Sequence, residues 1–291
     1  MNILQAMILG LVQGLTEFLP VSSSAHIRIV GELIGTGSDP GAAFTAILQI
    51  GTETAVLFYF RRDIARIARA WWEAIRGAHG TDRAARLGEG DADARMAWWI
   101  IIGTIPIVLL GLVFQHSIEH TFRNLYLIVL MLAVFALVLG WADRVGRKDR
   151  ELDDINRKHA VLFGLAQALA LIPGVSRSGG TISAGLLLGY TREAAARYSF
   201  LLAIPAVLGS GLFELAKSVG DFGKHGHPGL GVTIVATLIA FVVGYVAIIA
   251  FLKIVTTYSY RPFVRYRLGL AAVVVLLLVF HVLTPLGTTV G

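Results

Sequence analysis

The chain has no cysteine and few charged residues for its length. The absence of cysteine excludes disulfide bonds, a thiol nucleophile and thiolate metal ligands. Charged residues make up 15% of the 291 positions and hydrophobic residues 56%, whereas soluble domains carry roughly 25% charged residues. This balance argues against a soluble protein. Several apolar runs approach the roughly 20 residues that cross a bilayer as a helix. We therefore expect an all-α polytopic membrane protein that forms a single integral membrane domain over residues 1–291.

The basic residues are concentrated in three of the stretches between apolar segments. The stretches 61–95, 143–158 and 253–267 hold eighteen Lys or Arg, whereas 116–123 and 218–230 hold two. Because positive residues accumulate on the cytoplasmic side, the first three are expected inside and the other two outside. Topology thus explains the basic charge, and we expect no nucleic-acid partner. The predicted spans are 41–60, 96–115, 124–142, 197–217, 231–253 and 267–285.

Two further segments, 1–40 and 159–196, must each leave the membrane on the side they enter, given this topology. Neither contains two full-length apolar spans, and each is interrupted by a run rich in Pro, Gly or Ser. Irregular backbone at membrane depth is tolerated where it is buried in protein or lines a cavity. We therefore predict two re-entrant helical hairpins. Their apolar pieces are 3–19 and 27–35, with a break at 20–24, and 160–172 and 181–190, with a break at 173–180.

The two hairpins are similar in sequence at a constant offset of 154 residues. The pairs include Gly10 with Gly164, Gln13 with Gln167, Ser22 with Ser176, and Ser24 with Ser178. We predict two repeats, about 1–142 and about 159–291, joined by a cytoplasmic connector at about 143–158. Each repeat is one hairpin plus three spans, and the charge pattern gives the two opposite orientations. Such an inverted-topology repeat predicts a binding site where the broken helices meet.

The breaks hold the polar residues that could carry chemistry. A helix that begins after each serine-rich break offers free N–H groups and a positive dipole end to an anion, and Arg177 adds a planar fork suited to phosphate. The sequence therefore predicts a phosphate-binding site. Taken singly, the serines and glycines are better explained by helix capping and packing, and Arg177 favours the phosphate site, although it could pair with Glu17 without any ligand. The candidate phosphate-binding residues are Ser22, Ser24, Ser176, Arg177, Ser178 and Thr181.

The acidic residue of the first hairpin suggests either a metal ligand or a base. Gln13 and Glu17 are four apart and so share a helical face, where Glu17 could hold a divalent cation or accept a proton. His26 follows Ser23 by three residues, within reach of its hydroxyl if a helix begins there, which suggests a general acid or base or a nucleophile. Gln49 and Glu53 form another four-spaced polar pair. We expect this pair to face the cavity and assign it no role.

These motifs resemble those of a known family. The pattern from Gln13 through Glu17 to Pro20-Val-Ser-Ser-Ser-Ala-His26, together with Pro173-Gly-Val-Ser-Arg-Ser-Gly-Gly-Thr181, is similar to that of the undecaprenyl-diphosphate phosphatases of the bacitracin-resistance type. The resemblance covers essentially the whole chain. It implies hydrolysis of undecaprenyl diphosphate to undecaprenyl phosphate at the outer face of the bacterial inner membrane. This reaction recycles the lipid carrier of cell-wall synthesis and confers bacitracin resistance.

The resemblance also implies a divalent cation, Mg²⁺ or Ca²⁺, and roles for individual residues. Carried onto this chain, Glu17, Ser23, His26 and Arg177 are catalytic, and Glu17 and Gln13 bind the metal. Gln13 stands where the family has Glu or Gln, which leaves Glu17 as the sole carboxylate of the motif. We expect Ser23 to attack phosphorus and His26 to take its proton, with attack by His26 or by an activated water as alternatives.

Two questions stay open in the sequence. Inverted repeats with broken helices also occur in secondary transporters and could serve a lipid flippase. At the positions matched by the 154-residue offset, Glu17, Ser23 and His26 correspond to Leu171, Arg177 and Gly180. The two hairpins thus carry different functional groups, and this division of roles favours catalysis. Membrane lipid surrounds the chain in either case. The oligomeric state is also open, with a homodimer among the options.

Overall fold

The computed structural model describes residues 1–36, 41–78, 80, 82–119, 121–220, 222–223 and 228–286, which are almost entirely helical. No β-strand occurs in these ranges, where a single isolated bridge joins Arg150 and Tyr190. The α-helices are α1 (Ile3–Thr16), α2 (Ser23–Leu33), α3 (Ala42–Tyr59), α4 (Arg61–Ile75), α5 (Arg83–Arg86), α6 (Ala92–Val113), α7 (Gln115–Glu119), α8 (Leu125–Val145), α9 (Arg157–Ala168), α10 (Arg177–Leu187), α11 (Arg192–Ser218), α12 (Leu230–Thr257) and α13 (Arg261–Val279).

The prediction of a polytopic helical membrane protein is confirmed. Within the described ranges, α6, α8, α11, α12 and α13 are each long and apolar enough to cross a membrane. A sixth candidate is α3 together with α4, which meet at an angle of 76°. Each of the six predicted spans overlaps one of the helices α3, α6, α8, α11, α12 and α13, with the ends displaced by a few residues.

Helix α4 was not predicted, because its sequence was interpreted as part of a basic cytoplasmic loop. It is amphipathic: Ile67 and Ala74 are buried, whereas Arg61 and Arg69 are exposed. The apolar side is one helical stripe and packs against α6. The high arginine content obscured this periodicity.

The two predicted hairpins form from α1 with α2 and from α9 with α10. The second helix of each hairpin begins four residues earlier than expected, at Ser23 and Arg177. Ser22 and Ser176 precede these helices with φ angles of 73° and 70°. A positive φ is strained for residues other than glycine, and such strain is concentrated at functional sites. Because the second helices begin at Ser23 and Arg177, the candidate phosphate-binding residues Ser24, Arg177 and Ser178 lie in their first turns.

Each hairpin packs against a span from the other half of the chain. Helix α1 crosses α12 so closely that a Cβ on Gly10 would lie 2.4 Å from the carbonyl oxygen of Ala236. Helix α9 crosses α6 in the same way, with 2.3 Å between a Cβ on Gly164 and the carbonyl oxygen of Gly103. The sequence match of Gly10 and Gly164 thus corresponds to matching contacts. The inverted relation of the two halves and the inside and outside assignments stay predictions.

A cluster of buried aromatic rings fixes the end of the first hairpin. Phe18, the neighbour of Glu17, is 1% exposed and meets the ring of Phe200 edge to face at 5.3 Å between centroids. Phe200 in turn contacts Phe60 and Phe251. Edge-to-face pairs add roughly 0.5–1.5 kcal/mol beyond area burial. The core therefore holds Glu17 at a defined position between α3, α11 and α12.

We expect Gly164→Ala to destabilise the protein by about 1–3 kcal/mol, the usual cost of overpacking. The added methyl group would meet a backbone oxygen, which cannot turn aside. Thermal unfolding of the purified protein in detergent measures the effect. Gly269→Ala in α13 is the matched control, because no atom lies within 4 Å of its added Cβ. Equal midpoints for the two variants would contradict the close packing of α9 on α6.

Candidate active site

The tips of the two hairpins are joined by a buried arginine. Arg267 of α13 is 0% exposed. Its guanidinium donates to the carbonyl oxygens of Pro20 at 3.1 Å and Gly174 at 2.7 Å, and also to those of Met131, Leu132 and Val175. Ser178 adds a second link, from its Oγ to the carbonyl oxygen of Leu19 at 3.1 Å. The two breaks are therefore held side by side.

Arg267 corrects one detail of the sequence analysis, which counted this residue among the cytoplasmic loop charges. It lies inside the helix and binds backbone carbonyl groups. Carbonyl acceptors have no side-chain signature, so the sequence could not reveal this role. The excess of Lys and Arg in the stretches 61–95, 143–158 and 253–267 remains when Arg267 is not counted.

Glu17 lies at the centre of the polar cluster between the tips. It is 6% exposed. Its Oε2 accepts hydrogen bonds from Gln13 Nε2 and from Ser23 Oγ, both at 2.6 Å. Its Oε1 accepts from Arg177 Nη2 at 2.8 Å. The structure thus brings together four of the predicted site residues, from both hairpins, on one carboxylate.

Arg177 has a buried guanidinium nitrogen that makes no hydrogen bond within the described part of the chain. Its Nη2 binds Glu17 and lies 3.6 Å from Glu53 Oε2. Its Nη1 is buried and makes no hydrogen bond to any residue in the described ranges. An unsatisfied buried donor costs about 1–3 kcal/mol, more if charged. The guanidinium is therefore available to bind an anion from the adjoining cavity.

A cavity of about 510 Å³ adjoins this cluster. Its polar wall includes Glu17, Arg177 and the serines of both tips, and further polar groups include Thr45, Gln49, Gln115, Arg123 and Glu214. The serines are Ser22, Ser23, Ser24 and Ser176. The apolar wall is built mainly by α6 and α11, through Ile107, Val108, Leu112, Pro205, Val207 and Phe213. A ligand with a charged head and an apolar tail matches this division.

The two serine pairs are arranged alike. Ser22 Oγ lies 3.2 Å from Ser24 Oγ, and Ser176 Oγ lies 3.2 Å from Ser178 Oγ. Ser176 also caps α10 by accepting from Gly179 N at 3.2 Å, whereas Ser22 makes no side-chain cap to α2. The first turn of α2 therefore has more free donors for an anion than that of α10.

Two predicted phosphate ligands do not reach the cavity wall. Thr181 is 0% exposed and bonds to the carbonyl oxygen of Arg177 and to Ser199 Oγ. Ser178 is 3% exposed and bonds to the first hairpin through Leu19. In this structure both residues support the position of Arg177. Their direct contact with phosphate stays a prediction that the geometry does not favour.

His26 and Ser23 bond to other groups in the described contacts and not, as we expected, to each other. The Nδ1 of His26 lies 2.7 Å from the carbonyl oxygen of Ser22, and its Nε2 lies 2.7 Å from the hydroxyl of Tyr266. Because a carbonyl can only accept, Nδ1 carries the proton. A neutral ring then accepts from Tyr266 through Nε2. His26 does not line the cavity, and Ser23 instead donates to Glu17.

We assigned no role to Gln49 and Glu53 from the sequence. In the structure their side chains occupy different places. Gln49 lines the cavity, as expected. Glu53 lies behind the wall, is 0% exposed and is the second carboxylate beside Arg177. Its four-residue spacing from Gln49 was visible in the sequence. The approach of α3 to the second hairpin was not.

The oxygen atoms around Glu17 fit a hard divalent cation. Gln13 Oε1 is buried and accepts no hydrogen bond from the described part of the chain, and it belongs to the amide that bonds to Glu17. Mg²⁺ is commonly held by one or two carboxylates together with phosphate oxygens of the substrate. No group of three His, Cys, Asp or Glu side chains that could hold a metal occurs in the described ranges. Such a cation would therefore also need oxygen atoms of the substrate among its ligands.

Comparisons with known proteins agree with the resemblance drawn from the motifs. An undecaprenyl-diphosphatase of Bifidobacterium animalis subsp. lactis is 57% identical over 98% of this chain and 97% of its own length. An undecaprenyl-diphosphatase of an Arthrobacter species is 59% identical over 97% and 96%. A protein of Agrobacterium fabrum named undecaprenyl-diphosphatase 2 is 60% identical over 96% of both chains. The family model described as bacitracin resistance protein BacA matches residues 6–273, so the chain belongs to the BacA family.

Proposed function

We propose that this protein is an undecaprenyl-diphosphatase, which hydrolyses undecaprenyl diphosphate to undecaprenyl phosphate and inorganic phosphate. The observation that carries the proposal is the Arg177 guanidinium, whose buried Nη1 has no partner in the described part of the chain and which lies on the wall of a cavity with one polar and one apolar side. The relatives named for this activity match nearly the whole chain. The reaction returns the lipid carrier to cell-wall synthesis and gives resistance to bacitracin.

The terminal phosphate binds between the two helix N-termini. The first turn of α2, with Ser22 and Ser24, supplies N–H and hydroxyl donors, and Ser176 adds a hydroxyl from the second tip. Arg177 turns Nη1 to a phosphate oxygen. Helix N-termini bind phosphate because their free N–H groups and dipole favour negative charge. These donors stabilise the charge that develops as the anhydride bond breaks.

Ser23 is the nucleophile favoured by the geometry, with Glu17 as the proton acceptor. The hydroxyl of Ser23 already donates to Glu17 Oε2 at 2.6 Å. As Ser23 Oγ attacks the terminal phosphorus, its proton passes to Glu17 and the bond to the bridging oxygen breaks. Undecaprenyl phosphate leaves, and the phosphoserine is then hydrolysed by water. His26 holds the α2 tip through Ser22 and Tyr266 instead of taking the proton of Ser23.

A divalent cation, Mg²⁺ or Ca²⁺, is part of the proposal. Glu17 and Gln13 would hold it, since their oxygen atoms form the hard ligand set described above. When bound, the cation neutralises charge on the phosphate oxygens. Glu17 then serves both the cation and the proton of Ser23, which makes it the most sensitive residue of the site.

The polyprenyl tail lies along the apolar wall between α6 and α11, in contact with membrane lipid. The cavity reaches Gln115 and Arg123, which belong to the connection between α6 and α8. The charge pattern predicts this connection on the outer side. We infer that the protein is a multi-pass protein of the bacterial inner membrane and that its site opens to the periplasmic face.

Ser23→Ala should lower kcat by about 10²–10³-fold, a loss typical of removing a group that acts in the transition state. Substrate affinity should change little, because Arg177 and the helix N-termini remain. Phosphate release under saturating substrate measures kcat. Ser210→Ala is the matched control, since Ser210 lines the same cavity from α11 and its hydroxyl donates to the carbonyl oxygen of Val207. Turnover of Ser23→Ala near the wild-type rate would instead favour attack by water or by His26.

The experiment that tests the proposed activity is phosphate release from undecaprenyl diphosphate by the purified protein, before and after treatment with a chelator. We expect release that the chelator abolishes and that Mg²⁺ or Ca²⁺ restores. Release that persists in the chelator would overturn the cation requirement alone. No release from folded protein supplied with cation would overturn the phosphatase function.

A further inference from the structure

We propose that Glu53 is a ligand of the divalent cation and supplies the second carboxylate that the acidic motif lacks at Gln13. The inference rests on the proposed function, because the cation is the one that this reaction requires. From the sequence we noted Glu53 only as a polar pair with Gln49, outside the family motifs, and assigned it no role.

Glu53 is a fully buried carboxylate without a hydrogen-bond donor among the described residues. It is 0% exposed in α3, and neither of its oxygens accepts a hydrogen bond from a residue in the described ranges. The approach of Arg177 Nη2 to Oε2, at 3.6 Å, is longer than a hydrogen bond. Burying an ionised carboxylate without such bonds is costly. Ionisable groups at membrane depth are accordingly functional as a rule.

The charges around Arg177 favour a cation. When both carboxylates are ionised, Glu17 and Glu53 place two negative charges beside the single positive charge of Arg177, and the group has a net charge of −1. When Arg177 turns to phosphate, both carboxylates lose their counter-charge at the moment when a further anion enters. A divalent cation bound to both carboxylates removes this repulsion.

The candidate ligand atoms lie close together. Arg177 Nη2 lies 2.8 Å from Glu17 Oε1 and 3.6 Å from Glu53 Oε2, so both carboxylates flank the nitrogen that the cation would replace when Arg177 turns to phosphate. The unsatisfied Oε1 of Gln13 belongs to the amide that bonds to Glu17. Two carboxylates, an amide oxygen and phosphate oxygens make an oxygen set suited to Mg²⁺.

The competing explanation is a neutral Glu53 that holds a proton and only packs beside Arg177. Glutamine has the shape of a protonated glutamate, so Glu53→Gln would then bind the cation as the wild type does. If Glu53 is a ligand, the same variant loses a charged oxygen from the site. Glu53→Gln therefore separates the two explanations.

The test measures Mn²⁺ binding to the purified full-length protein in detergent, from the electron paramagnetic resonance signal of free Mn²⁺. This readout does not depend on turnover. The variants are Glu53→Gln, the double variant Gln13→Glu with Glu53→Gln, and Glu214→Gln as the matched control. Glu214 is a carboxylate of the same cavity wall outside the Glu17 cluster. Thermal unfolding confirms that each variant is folded.

We expect one Mn²⁺ site in the wild type, weakened at least about tenfold by Glu53→Gln, as loss of a ligand should exceed the 10–100-fold effects of groups behind the ligands. The double variant should regain most of the affinity, because Gln13→Glu returns a carboxylate to the same cluster. Glu214→Gln should bind Mn²⁺ like the wild type.

Wild-type affinity in Glu53→Gln, or no Mn²⁺ site in the wild-type protein, would overturn the inference. Parallel assays of phosphate release keep the two proposals apart. Loss of Mn²⁺ binding in Glu53→Gln supports the ligand role even if the wild type releases no phosphate. Release by the wild type with an intact Mn²⁺ site in Glu53→Gln supports the phosphatase and rejects the ligand role.

Discussion

Replacing Arg177 by lysine should lower kcat/KM for undecaprenyl diphosphate by about 10³-fold, the upper range for losing one preorganised donor. The guanidinium has two separate tasks, because Nη2 contacts Glu17 and Glu53 while Nη1 is available to the ligand. A lysine ammonium is a point charge and cannot reproduce this fork. It would stay with the two carboxylates and leave the phosphate without its cationic partner.

The Arg177→Lys result is checked by steady-state phosphate release at a matched amount of folded protein. Arg197→Lys is the control, since Arg197 forms a partly exposed ion pair with Asp63 at 3.1 Å and exposed pairs contribute about 0–1 kcal/mol. Near-normal kcat/KM in Arg177→Lys would show that charge alone suffices. Arg177 Nη1, which makes no hydrogen bond in the described ranges, would then not be required for phosphate binding.

Arg267→Met should destabilise the protein by about 3–5 kcal/mol, the range for breaking a buried charged contact. The guanidinium donates to carbonyl oxygens of both tips and of α8, among them Pro20, Gly174 and Leu132. Methionine fills part of the space but leaves these acceptors without donors. Because the tips then lose their common partner, we also expect hydrolysis to fall by at least about 10²-fold through misplacement of catalytic groups.

Thermal unfolding and phosphate release at low temperature separate the two effects of Arg267→Met. Arg265→Met is the matched control, because Arg265 lies two residues earlier in α13 and is exposed. A variant that is destabilised but fully active below its unfolding temperature would show that the tips keep their positions without Arg267. Unchanged stability would contradict the contacts themselves.

The sequence determined most of the architecture because its signals were local. Apolar length placed the six spans, and the breaks rich in Pro, Gly and Ser placed the two hairpins. Helix α4 was not predicted. Its arginines cover one side of the helix, and Ile67 and Ala74 are buried on the other side. Hydropathy averaged over a window does not detect such a stripe.

The candidate site was predicted in part, and its errors have a common cause. Motif spacing brought Gln13, Glu17, Ser23 and Arg177 together correctly. It did not give the partner of His26, because this ring bonds to Tyr266 and to the carbonyl oxygen of Ser22 while Ser23 bonds to Glu17.

The roles of Glu53 and Arg267 could not be assigned from the sequence for a related reason. Their partners lie more than 90 residues away, on Arg177 and on backbone carbonyl groups such as that of Gly174. Contacts between distant helices, and contacts to the backbone, leave no pattern in one sequence.

The most direct test of the central claim compares phosphate release from undecaprenyl diphosphate by the wild type and by Glu17→Gln, with cation present. Glu17 receives Ser23, Gln13 and Arg177 on one carboxylate, so the substitution should abolish at least about 99.9% of turnover while the protein stays folded. Release by Glu17→Gln at a rate close to that of the wild type would show that the chemistry occurs elsewhere than at the meeting point of the two hairpins.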